Sequence, residues 1–196
     1  MYDQRAIKNI KYAIISVIGT HANESEEEIF RRKVIDIENI GLTFWLQKSR
    51  KATPKMVQMI CSASESENKP RYCLFIESAT KGGAVPTKES DKAKEYSKDG
   101  INWRKIPDGL SPVTGKIDVN AYALILNRLD MVNDIIDLWA YADFYNQDKP
   151  LKFILGASTV CAIKRDTELN KDRMKARYRK VLAIGELSEP FCVYLK

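Results

Sequence analysis

The sequence predicts a mixed α+β protein, a curled sheet or small β-barrel flanked by helices. Two observations predict it. The first third of the chain alternates strand-like and helix-like runs, β-α-β-α-β, and that order favours neighbouring parallel strands. After residue 80 the alternation stops, and the chain ends in consecutive strand-like runs, which a curled or closed sheet accommodates without exposed edges.

Tyr12–Ile18 is an Ile/Val-rich run closed by Gly19, the pattern of a buried strand and a turn. Ser25 with Glu28 three residues on forms a capping box. The acids Glu26–Glu28 suit the positive end of the helix that follows, and Ile29, Phe30, Lys33-Val34 and Ile37 give Ser25–Ile37 helical spacing. Leu42–Leu46 reads as a second strand. Thr53-Pro54 supplies an N-cap and a proline at the first helical position, so a helix is expected over Pro54–Cys61. Tyr72–Ile76 reads as a third strand.

Thr80–Gly100 is polar, carries Gly82-Gly83, and reads as a mobile loop. Ile101–Ile106 is a short strand in which Ile101, Trp103 and Lys105 share a face. Pro107–Gly115 is rich in turn residues, and Ala121–Leu126 is a firm strand. Val132, Ile135, Ile136, Trp139 and Tyr141-Ala142 predict a helix over Asp130–Tyr145. Leu151–Ile163 contains a strand interrupted at Gly156, and Arg179–Leu187 with Phe191–Leu195 form a terminal hairpin joined by Ser188-Glu189-Pro190.

With 196 residues, 44% hydrophobic and 30% charged, the chain has the composition of a soluble globular protein. That length buries roughly 70% of the unfolded surface, so no disulfide staple is needed. Cys61, Cys73, Cys161 and Cys192 are widely spaced, form no CxxC, and are expected to be reduced core residues. No apolar run approaches the ~20 residues of a bilayer span. The N-terminus lacks the sections of a signal peptide. The expected setting is cytoplasmic, without membrane association.

The charge is concentrated. Residues 164–180 hold eight basic and three acidic residues, a net +5 of the chain's +6. A focused cationic segment between apolar strands is the footprint of a polyanion site. If Asn170 caps a helix, Arg173, Arg177 and Lys180 share one face, while Met174 and Tyr178 dock on another. The residues expected to meet phosphates are Lys171, Arg173, Lys175, Arg177, Arg179 and Lys180. Lys81, beside the Gly82-Gly83 pair, joins them, because amides at a glycine pair can cradle phosphate. The bland alternatives are a solvated connection and an ordinary surface loop.

Other chemistry is sparse. His21, the single histidine, follows the first strand, where α/β sheets place pockets; alone it builds no multi-histidine metal site. Neither a P-loop nor a GxGxxG occurs. No Ser-His-Asp order, nucleophile elbow or nuclease motif appears. Asp130, Asp134 and Asp137 repeat at helical spacing and read as a solvated face before a metal site. Ser111–Gly115 is a polar turn whose hydroxyls either face a ligand or close a structural turn. Trp103, beside Asn102, Arg104 and Lys105, has the setting that stacking on bases requires, whereas Trp45 and Trp139 sit among apolar neighbours. No cofactor and no metal are expected.

Phe44-Trp45-Leu46 before a short helix, Tyr72–Ile76, Ala121–Leu126 leading into an amphipathic helix, and the final basic strand pair together resemble the PUA-like superfamily, in particular its EVE-type modified-base readers. The resemblance covers 41–196, with 1–40 as a strand-helix elaboration of one single domain. It implies nucleic-acid binding with one base, modified or flipped, held in an aromatic pocket built from Trp45, Trp103, Tyr141 and His21. Two other readings stay open: an enzyme on a nucleotide or small anionic substrate, with His21 as acid or base and Ser78–Gly83 holding phosphate, and a protein-interaction subunit.

Overall fold

The computed structural model describes residues 7–18, 24–47, 51–78, 91–115, 117–151, 159–165 and 178–196. His21, Lys81, Gly82-Gly83, Gly156, Asn170, Lys171, Arg173, Lys175 and Arg177 lie outside them.

The opening third folds as its pattern predicts. β1 (Tyr12–Ile18) and β3 (Tyr72–Glu77) pair in parallel. α1 (Glu26–Ile40) starts at the Ser25–Glu28 capping box and stops at Gly41, whose φ of 80° favours glycine. α2 (Pro54–Ser66) is capped by Thr53 and runs five residues past Cys61. β2 (Thr43–Gln47) leaves the parallel pair and joins β8 (Tyr122–Asp137) antiparallel.

β8 corrects the helix expected over Asp130–Tyr145. The strand continues to Asp137, Leu138–Ala140 form one 3-10 turn, and Tyr141–Asp143 are strand β9. Val132 and Ile136 face one side of the sheet with Val181 and Ile184, while Met131 and Ile135 point to the other. The partner that draws this stretch into a strand is β12 (Tyr178–Leu195), a single strand where a hairpin is expected. β12 follows β8 from Tyr178↔Asp137 to Tyr194↔Tyr122, and Ser188–Phe191 form a bulge between the Leu187↔Leu126 and Cys192↔Leu124 pairs. Tyr178–Lys180 belong to β12, so no helix reaches Lys180.

The expected loop over Thr80–Gly100 also contains structure. β4 (Asp91–Lys92) pairs with β7 (Thr114–Gly115), and β5 (Glu95–Ser97) pairs with β6 (Trp103–Lys105) and with the end of β12. β9 lies between β10 (Asn146–Pro150) and β11 (Thr159–Lys164), and β11 pairs antiparallel with β1.

Along the path β1-β3-β12-β8-β2 the two end strands are four steps apart. Yet Gln47 of β2 hydrogen-bonds Ser16 of β1, and the Trp45 and Phe75 rings lie 4.3 Å apart. The sheet is therefore curled. It is not closed into a barrel, since β2 has no backbone partner but β8 among the described residues. Both helices pack inside the curl on Phe75, Leu124, Leu126, Cys73 and Cys161. The outer face of β1, β3 and β11 is covered by Ile7, Ile10, Leu138 and Tyr141. The far half of β8 and β12 is covered from its other face by Ala93, Ile106, Leu110 and Val113. β1 thus sits between two paired strands in the middle of the sheet. All four cysteines are buried and free. No helix among the described residues is long and apolar enough to cross a membrane.

Candidate nucleic-acid interface

The basic segment leaves and rejoins the sheet around one short turn. Asp137 caps Leu138–Ala140 by accepting from the Trp139 backbone N–H at 2.9 Å. The chain departs at Arg165, whose N–H donates to Ala140 O at 2.8 Å, and Lys164 pairs with Tyr141. It returns at Tyr178, which pairs with Asp137, and at Arg179, which pairs with Ile136. Lys164, Arg165 and Arg179 thus meet around this turn although up to 15 positions separate them, while Lys180, paired with Ile135, projects to the opposite face of the sheet. All four are partly or fully exposed.

Two donors there are unsatisfied. Trp139 Nε1 and Arg179 Nε are buried and have no hydrogen-bond partner among the described residues. Arg179 Nη1 donates to the carbonyl of Tyr178 at 3.3 Å. A buried orphan donor costs roughly 1–3 kcal/mol, so a pair of them beside the cations of this turn favours an incoming acceptor of negative charge. Asp137 is the acid of the turn, and it is engaged as the cap.

The aromatic residues expected to form one pocket lie apart. Trp45 stacks on Phe30 at 5.7 Å and on Phe75 inside the curl. Tyr141 is 2% exposed, on the outer face, and donates its hydroxyl to Ile10 O at 2.8 Å. Burial pushes its phenol well up. Trp103 is on β6, partly exposed, with Lys196 Nζ 5.6 Å from its ring centroid and exposed Arg104 and Lys105 next in the strand. The preceding turn is tied by Asp99, which accepts from the backbone N–H groups of Ile101 and Asn102 at 2.8 Å each. Those bonds hold its carboxyl well below the usual range.

Sequence reasoning missed Trp139, which it placed in a helix core. Its one signal was an indole flanked by Asp137 and a turn, a polar setting that helical spacing concealed. It also missed the joining of Arg165 to Arg179, which only pairing of β8, β9, β11 and β12 produces. Asp130, Asp134 and Asp137 lie on a strand, and no group of three or more His, Cys, Asp or Glu is placed to hold a metal ion among the described residues. No family model, no curated protein and no solved structure matches the chain.

Proposed function

We propose that the protein binds single-stranded nucleic acid, with the root of the basic segment gripping phosphate at one end of β12 and Trp103 stacking on a base beside its other end. The observation that carries this reading is the meeting of Lys164, Arg165 and Arg179 around a turn where Trp139 Nε1 and Arg179 Nε are buried donors without a partner among the described residues. Phosphate oxygens are acceptors only, so they complement such donors and cations together. Lys171, Arg173, Lys175, Arg177 and Lys81, expected from the sequence to meet phosphates, lie outside the described residues and remain part of the proposal on charge alone. The Trp103 ring beside Lys196, Arg104 and Lys105 is the combination that non-specific single-strand binders use.

A PUA-like, EVE-type identity is the finer form of the proposal. The curl of the sheet around α1 and α2 supports it. Under that reading the base pocket draws on Trp103 first, because Trp45 and Tyr141 are committed to packing.

The test is fluorescence anisotropy of labelled DNA and RNA oligonucleotides across a salt series. The expected slope of log affinity against log salt is about −0.7 for each phosphate neutralised on a single strand. The Lys164→Glu, Arg165→Glu, Arg179→Glu variant should weaken binding to all sequences alike and flatten the slope by roughly 2. Unchanged affinity and slope in a variant whose circular dichroism matches the parent would overturn the proposal.

A further inference from the structure

A second polar cluster lies away from the basic turn, where α1 meets the loop before β7. Asp36, buried at 2% exposure, accepts three bonds: from Ser111 N at 2.8 Å, Ser111 Oγ at 2.6 Å and Thr43 Oγ1 at 2.6 Å. Lys33, one turn earlier on α1 and equally buried, places Nζ 3.2 Å from Ser111 Oγ and 3.5 Å from Asp36 Oδ2. Arg32 adds Nη1 at 3.4 Å from the same hydroxyl, ties Nη2 to Glu24 at 2.8 Å, and leaves its buried Nε without a partner. Gly109, at φ 94° and with no room for a Cβ against Ile40, sets the loop on the helix. Ser111 opens onto a groove of about 550 Å³ whose apolar walls are Ile35 and Leu110.

We infer that Ser111 is a nucleophile toward carboxylic esters with an apolar acyl group, with Lys33 as its base and Arg32 as the donor to the oxyanion. The constellation has the required parts: nucleophile and base in hydrogen-bond reach, an orienting carboxylate behind both, an unpartnered donor beside the nucleophile, and a groove for the substrate. Serine–lysine pairs are a known variant of the hydrolytic triad. Burial pulls the Lys33 ammonium down to about 8, against the pull of Asp36 and Glu24 and with Arg32 adding to the drop. A neutral amine is then accessible at mildly alkaline pH, near the range where a general base works best.

In the step, Ser111 Oγ bonds to the carbonyl carbon, its proton turns from Asp36 Oδ2 to Lys33 Nζ, and the carbonyl electron pair moves onto oxygen, where Arg32 Nη1 donates. Collapse breaks the ester C–O bond, and the leaving alkoxide takes the proton from Lys33. Water then attacks the acyl-serine, Lys33 takes its proton, and Ser111 recovers that proton as the carboxylic acid departs.

The test uses the full chain with an alkyl fluorophosphonate and with p-nitrophenyl butyrate. A single adduct should map by peptide mass to Ser111 on the parent, and hydrolysis should rise with pH through about 8. Lys33→Arg keeps the cation but cannot serve as the base, and it should lose roughly a hundredfold in rate while keeping the parent's circular dichroism. Ser111→Cys should lose the fluorophosphonate adduct and gain iodoacetamide labelling at 111. A folded parent that forms no Ser111 adduct overturns the inference. So does Lys33→Arg with parental rate and pH profile, which would make the cluster a structural staple only.

Discussion

Gln47 Nε2 donates to Ser16 Oγ over 3.1 Å and so ties β2 to β1 in the middle of the sheet, two strands that share no backbone pairing among the described residues. Thr159 completes the bridge: its hydroxyl donates to Gln47 Oε1 at 2.6 Å and lies 3.1 Å from Ser16 Oγ. All three side chains are buried. Both edges of β1 are already paired, so the curl is held at this point by a polar side-chain clasp and by no backbone ladder.

Gln47→Leu should therefore destabilise the fold even though it adds apolar volume. It orphans groups that burial keeps from water, at roughly 1–3 kcal/mol. Urea unfolding should show a lower midpoint with unchanged slope. A variant as stable as the parent would mean that the clasp contributes nothing net.

Ser25→Ala should cost about 1 kcal/mol. The Ser25 hydroxyl accepts from Glu28 N at 3.3 Å and donates to the Glu28 carboxylate at 2.7 Å, so alanine loses both bonds and keeps only the backbone bond from residue 25 N to that carboxylate. The loss should shrink on acidification. These bonds hold the Glu28 carboxyl below its usual range, so their contribution is present above that range and is lost as pH falls through the lowered value. Equal costs at pH 7 and pH 3 would count against this account.

Alkaline pH should unfold the protein early. Burial pushes the thiols of Cys161 and Cys192 up to about 12, and it raises those of Cys61 and Cys73 well above the ordinary thiol value. Unfolded thiols ionise near 8.5. Above that pH the folded state holds more protons than the unfolded one, so the stability these thiols contribute is full below 8.5 and falls as pH rises. Lys33 acts oppositely: lowered to about 8 when folded, it gains stability as pH climbs toward its unfolded value. Four thiols against one amine leave a net loss of about 4 kcal/mol per pH unit near pH 9.5, at roughly 1.4 kcal/mol per proton. Chemical unfolding from pH 7 to 10 measures it; a flat profile refutes it. Denatured without reductant, the chain should titrate four thiols.

Trp103→Ala should weaken oligonucleotide binding by roughly 1–3 kcal/mol and leave the salt slope nearly unchanged, since stacking releases few counterions. The glutamate variants at the basic turn should move the slope instead. Anisotropy titrations at three salt concentrations separate the two. A Trp103→Ala effect confined to the slope would assign this residue's neighbourhood to phosphate contact and remove it from stacking.

Local signals were legible where one short window held the whole cause. The Ser25–Glu28 box, Thr53-Pro54, the left-handed Gly41 and the Ile/Val run of β1 each act within a few residues, and the elements they start or stop lie where the pattern places them. The stretch from Asp130 to Tyr145 was misread because its apolar residues fall on two faces of a strand. Val132 and Ile136 face the core, and Ile135 lies exposed on the opposite side, which together imitate a period of 3.6. β-branched residues suit a strand once a partner is present, and that partner, β12, lies some fifty residues on. The terminal turn at Ser188–Pro190 was misread for the reciprocal reason: β8 supplies a continuous edge that carries β12 past the bulge.

By itself the sequence determined the α+β class, the helix caps, the burial of the cysteines and the +5 charge held in residues 164–180, because each follows from residue type and near neighbours. Only the tertiary structure decided that Arg165 and Arg179 stand on either side of Trp139, that Lys33 and Asp36 converge on Ser111, and that Gln47 reaches Ser16. Those meetings depend on strand order and on the curl of the sheet. Both are set by pairing between segments far apart in the chain, where no local pattern records the partner.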